Sequence, residues 1–160
     1  MPSTITSVST EDFARQVEDP AHNILDTRAM AAYNGWRLNG APRGGHVPGA
    51  SSIPLDWTQF MDWVEVPEEK ELTPESPITV YGHGADDAEE MADYLIRLGF
   101  EDVRVYDRFH ADWAGDPHRP LRRLERYRQL VPPSWLRALL DGEAPEDNVW
   151  LFANDVVVVQ

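Results

Sequence analysis

Between Ile78 and Gly99 the chain passes from a continuous apolar run to an apolar repeat of helical spacing. Ile78, Thr79, Val80 and Tyr81 are β-branched or aromatic and suit a buried central strand. Gly82, His83 and Gly84 break the extended pattern, since glycine tolerates backbone angles that other residues resist. From Ala85 onward, Ala88, Met91, Ala92, Leu95 and Leu98 fall on one helical face. Asp86, Asp87, Glu89 and Glu90 crowd the first turns, where carboxylates favour the positive end of the helix dipole. Arg97 sits in the last turn, and Gly99 is placed as the C-terminal cap. The pattern predicts strand, glycine loop and helix. Such a loop either presents its free N–H groups as an anion cradle or serves as a plain turn.

The same patterning runs through the rest of the chain. Thr4 to Val8 reads as a first strand, and Ser9 with Asp12 resembles a capping box that opens a helix carrying Phe13 and Val17. Asp19-Pro20 ends that helix, and Asn23 to Asp26 forms a brief buried strand. Asp26 and Arg28 are two apart and face the same side of an extended chain. They read first as a structural ion pair, and second as an arginine aimed at an anion beside the Gly82 loop. Ala29 to Tyr33 allows one helical turn, Pro48-Gly49 marks a turn, and Ser51 to Pro54 is a short strand. Leu55, Trp57, Phe60, Met61 and Val64 predict a helical segment packed on the core or over the sheet edge. Pro67 to Pro77 is polar and acidic, hence a surface connection. Val103 to Tyr106 is a further strand, and His110 to Trp113 starts another helix. Strands alternating with helices predict a parallel sheet covered on both faces.

Composition narrows the function. The chain has 160 residues, enough for one ordinary domain, and a formal net charge of −14. That balance argues against nucleic acid or an anionic membrane as partner, because both need a basic face. Lys70 is the single lysine among 14 basic residues. There is no cysteine, so disulfides, thiolate metal sites and cysteine nucleophiles are excluded for this chain. The N-terminal stretch shows no basic start followed by an apolar run, and no stretch approaches bilayer-spanning length, so the expectation is a cytoplasmic protein. His46 reads as a histidine locked by a backbone hydrogen bond, and less readily as a base or metal ligand.

Several motifs together resemble the rhodanese (thiosulfate sulfurtransferase) domain. They are Ile24-Leu25-Asp26-Thr27-Arg28, Tyr33, the run Gly45-His46-Val47-Pro48-Gly49-Ala50, Val80-Tyr81-Gly82 leading to Leu98-Gly99-Phe100, and Val103 to Asp107 followed by Trp113. The resemblance implies a three-layer α/β sandwich with a mostly parallel five-stranded sheet flanked by helices. In active members the residue after the Val-x-Tyr strand is a cysteine that carries a sulfane sulfur as a persulfide. Here that position is Gly82, so no catalytic residue is expected. The equivalent of the active-site loop is Gly82, His83, Gly84, Ala85, Asp86, Asp87 and Ala88. Asp86 and Asp87 set negative charge at its mouth, where a dianion such as thiosulfate is repelled. Asp26, Arg28, Tyr33, Gly45, His46, Pro48 and Gly49 are motif residues with mostly structural roles.

The resemblance extends to tandem rhodaneses, which often pair an inactive N-terminal repeat with an active C-terminal one, the inactive repeat helping to wall the other's cleft. The tail fits this picture. Leu130 to Leu139 resembles Val8 to Val17, and Val149 to Phe152 stands where Ile24-Leu25 does in the first copy. The expected division is a rhodanese-like domain over 1–116, then a linker and the opening of a second repeat over 117–160. Asp155 to Gln160 reads as a strand whose free edge invites association. The expected function is a non-catalytic domain with a structural or regulatory role, half of a tandem sulfurtransferase. Its partner is a second rhodanese domain or another protein, or a second copy through the C-terminal strand; no cofactor and no metal is expected. Two alternatives remain. One is a binding module for a small anion or a protein. The other is a metal-dependent enzyme using His83, Asp86, Asp87 and His110.

Overall fold

A computed structural model of the chain describes residues 5–125, 137, 140–142, 150–153 and 155–158. Two compact units emerge, Met1–Arg122 and Arg123–Gln160.

The first unit is built on five parallel strands: β1 (Thr6–Ser7), β2 (Asn23–Asp26), β3 (Ser51–Ser52), β4 (Ile78–Tyr81) and β5 (Val103–Tyr106), in the order β1-β5-β4-β2-β3. This is the α/β sheet flanked by helices that the resemblance implied. Four helices accompany it: α1 (Thr10–Glu18), α2 (Met30–Asn34), α3 (Val66–Glu69) and α4 (Ala85–Arg97). Neighbouring strand residues alternate between two cores, as a period of two requires. Leu25, Ile78 and Val80 join Ala88, Met91, Ala92 and Leu95 of α4 on one face. Ile24 and Tyr81 join Phe13 of α1, Tyr106, Phe109 and Trp113 on the other.

Local signals act as the sequence dictates. The Ser9 hydroxyl accepts a 3.1 Å hydrogen bond from the Asp12 N–H and caps α1. Gly99, after α4, takes φ +99 in the left-handed region, where a side chain is strained. His110 to Trp113 lies inside a π-helical turn, Phe109–Ala114. Among the described residues no helix is long and apolar enough to cross a membrane.

Three expectations need correction. The Leu55–Val64 segment is not a core-packed helix but two 3-10 turns, Leu55–Gln59 and Met61–Glu65. Phe60 between them is extended (φ −99, ψ 141), which resets the face, so Phe60 and Met61 are 57% and 95% exposed while Trp63 is buried. The Pro67–Pro77 connection is not wholly superficial: Pro67 and Leu72 are buried. Gly82 and Gly84 do not adopt positive φ, so conformational freedom is not why glycine stands there.

In the second unit, β6 (Trp150–Ala153) and β7 (Asp155–Val158) pair antiparallel, with Trp150 opposite Val158. The expected strand at the C-terminus thus has β6 as its neighbour. The helix expected over Leu130–Leu139 lies, apart from Arg137, outside the described residues.

Candidate functional site

The C-terminal ends of β2 and β4 carry the site. Their register sets Asp26 opposite Tyr81. Asp26 and Arg28 are fully buried and bonded twice: Nε donates to Oδ1 at 2.9 Å and Nη2 to Oδ2 at 2.6 Å. Nη2 also donates to the Gly45 carbonyl at 2.6 Å. The Tyr81 hydroxyl donates to Asp26 Oδ2 at 2.8 Å and accepts from the Val47 N–H at 3.1 Å. Burial, then the Asp26 charge, pushes the Tyr81 hydroxyl well above its ordinary pKa. Burial alone would disfavour the Arg28 charge, yet the bonds from Asp26 outweigh it and hold its pKa up. Arg28 also lies over the Phe109 ring, its Cζ 4.5 Å from the centroid.

The Gly45–Ala50 run anchors this web. Gly45 has φ +108, and a Cβ there would meet the Arg122 carbonyl oxygen at 2.4 Å. His46 donates from Nδ1 to the Tyr33 carbonyl at 2.8 Å, and the two rings stack 3.7 Å apart. Tyr33 donates its hydroxyl to the Ala50 carbonyl at 2.7 Å, across the Pro48-Gly49 turn. Arg43 binds the carbonyls of Trp113, Ala114, Asp116 and Arg119, closing the end of the π-helical turn.

Gly82 follows β4 directly and is buried. A Cβ on it would lie 2.9 Å from the Asp87 Cβ, 3.2 Å from Thr27 Oγ1 and 3.3 Å from the Ala88 nitrogen. Close approach of α4 therefore dictates glycine at this position. Asp86 is exposed and Asp87 half-buried in the first turn of α4.

Around Gly82 lie polar atoms of another kind. Thr27 Oγ1, Arg28 Nη1, His83 Nδ1 and His110 Nε2 are buried and have no hydrogen-bond partner. The His83 and His110 rings stand 5.5 Å apart, edge to face. Burial lowers the pKa of both imidazoles, and the positive charge of Arg28 lowers it further; Asp87 works the other way. A buried donor left unpaired costs about 1–3 kcal/mol, more when charged. His83 and His110 thus come together as the metal alternative supposed. However, among the described residues no group of three or more His, Asp or Glu side chains could hold a metal ion.

Sequence reasoning missed Tyr81 as the hub of the web, Thr27, and the placement of Phe109 and His110 beside Arg28. The Asp26–Tyr81 pairing was within reach, given the two strands as neighbours. The approach of the π-helical turn was not.

Comparison with known proteins gives the same frame. Residues 9–116 match the rhodanese-like domain. The thiosulfate sulfurtransferase YnjE of Escherichia coli (strain K12) is 28% identical over 136 residues, which cover 80% of this chain and 29% of the relative. A thiosulfate sulfurtransferase of Corynebacterium glutamicum is 30% identical over 129 residues, 69% of this chain and 42% of the relative. Among solved structures, the anaerobic ergothioneine biosynthesis enzyme from Chlorobium limicola, in complex with trimethyl histidine, superposes with a TM-score of 0.85 at 34% identity. It covers 94% of this chain and 35% of its own. The chain therefore spans well under half of each of these proteins. It belongs to the rhodanese-like domain family, is related to the thiosulfate sulfurtransferases, and contains no cysteine.

Proposed function

We propose that this chain is a non-catalytic rhodanese-homology domain with a structural or regulatory role in sulfur-transfer metabolism, as one part of a tandem thiosulfate sulfurtransferase. The observation that carries the reading is Gly82, where the resemblance puts the family's cysteine. Persulfide chemistry needs a thiolate. Position 82 has no sulfur, and the Asp87 Cβ occupies the approach a side chain would need. The share of the relatives that this chain covers supports the tandem arrangement. On this reading 1–116 is the domain, 117–160 is a linker and the opening of a second repeat, and the compartment is the cytoplasm. The partner is a second rhodanese domain, in the same polypeptide or in another chain. A homodimer through the C-terminal strand is the alternative, and it would add to the β6–β7 pair.

Two measurements test this. The purified 160-residue chain is assayed for sulfur transfer from thiosulfate to cyanide. Thiocyanate formation at the no-protein blank is expected; formation above it overturns the non-catalytic reading. The native protein is then sized in its own cells with an antibody to this domain. A band well above 18.2 kDa is expected, and a band at that mass removes the tandem.

A further inference from the structure

We propose that the Gly82 loop is a binding site for one small monovalent anion, a halide or a one-carbon carboxylate, held by Thr27, Arg28, His83 and His110. The inference goes beyond the structural role and stands whether or not the chain belongs to a tandem protein.

Four unpartnered buried atoms come from three parts of the chain that lie next to Gly82, to one another's rings or to Phe109. Thr27 and Arg28 are 3% and 2% exposed, and Thr27 Oγ1 lies 3.2 Å from the Cβ direction of Gly82. His83 follows Gly82, its ring is 5.5 Å from that of His110, and His110 adjoins Phe109, over which Arg28 lies. The α4 N-terminus opens beside them with Gly84 as N-cap and no side chain capping it. All these groups can donate at once. A guanidinium N–H only donates, a hydroxyl can donate, and each neutral imidazole can carry its proton on the free nitrogen. Uncapped helix amides donate as well. Together they call for an acceptor.

The charge around the site selects the kind of acceptor. Asp26 neutralises one side of Arg28 and leaves Nη1 unused. The positive influence of Arg28 on both imidazoles marks a potential that favours an anion. The negative charge of Asp87 acts on both histidines in the opposite sense to Arg28 and limits the charge that can enter. A compact monoanion satisfies both conditions; a dianion such as thiosulfate or sulfate does not.

The test uses the five histidines as reporters in the 15N-labelled 160-residue chain. Sodium formate and sodium chloride are titrated in separate arms, with ionic strength held by sodium sulfate. Saturable shifts of the His83 and His110 imidazole signals in either arm are expected, while His22, His46 and His118 stay in place. Thr27→Val keeps the shape and removes the hydroxyl; with an unchanged amide spectrum it raises the half-saturation concentration about fivefold to tenfold. Shifts that never saturate, or that spread over all five histidines, overturn the proposal. So does equal competition by thiosulfate, or an unaltered titration in Thr27→Val.

Discussion

Arg28 borders two regions with opposite hydrogen-bond economies. On one side Asp26, Tyr81, Gly45 and Val47 form a web in which each named donor meets an acceptor at 2.6 to 3.1 Å. On the other, Thr27 Oγ1, His83 Nδ1, His110 Nε2 and Arg28 Nη1 have no hydrogen-bond partner. The first region joins β2, β4 and the Gly45–Ala50 run. The second lies around Gly82, where the resemblance puts the family's cysteine.

The comparison can be broken most severely at Arg28. Arg28→Leu leaves Asp26 buried without its cation, and a loss of about 3–5 kcal/mol in urea unfolding is expected. Stability within 1 kcal/mol of wild type, an order-of-magnitude allowance, would show that the web is dispensable. Tyr81→Phe removes one donor to Asp26 and the acceptor for Val47; about 1–3 kcal/mol should go.

At the loop, Gly82→Ala forces a methyl against Asp87 and should cost about 1–3 kcal/mol. Asp87→Gly in the same chain relieves that contact, so a double-mutant cycle should show favourable coupling; strict additivity would deny the clash. The smallest effect concerns pH. His22, His83 and His110 all have pKa values below the ordinary 6.5, burial being the first cause in each. The folded state thus resists their protonation. The stability they contribute is complete above the unfolded value and is lost as pH falls below it. A lower Tm at pH 5 than at pH 7.5 follows, and His110→Gln should flatten part of the slope.

Much of the frame was legible because it rests on local chemistry. The β4–α4 unit follows from an apolar run and a helical repeat. The Ser9 cap and the Asp26–Arg28 pair follow from spacings of three and two. The Leu55–Val64 segment misled because a 3.6-residue repeat was assumed where the chain makes two 3-10 turns broken at Phe60. Trp63, off the assumed stripe, is buried in the core, and Leu55 of the stripe packs against it. Gly82 misled differently: its reason is the approach of α4, a tertiary contact that no local pattern announces. The metal alternative already grouped His83 with His110, but the placement of Phe109 and His110 beside Arg28 was hidden for the same reason, since it depends on how the chain turns after β5.

The sheet order has a consequence for solubility. Both outer strands, β1 and β3, are only two residues long. Such edges offer too little free backbone to template a foreign strand, a common protection against runaway aggregation. Both margins of this sheet are blunted in this way.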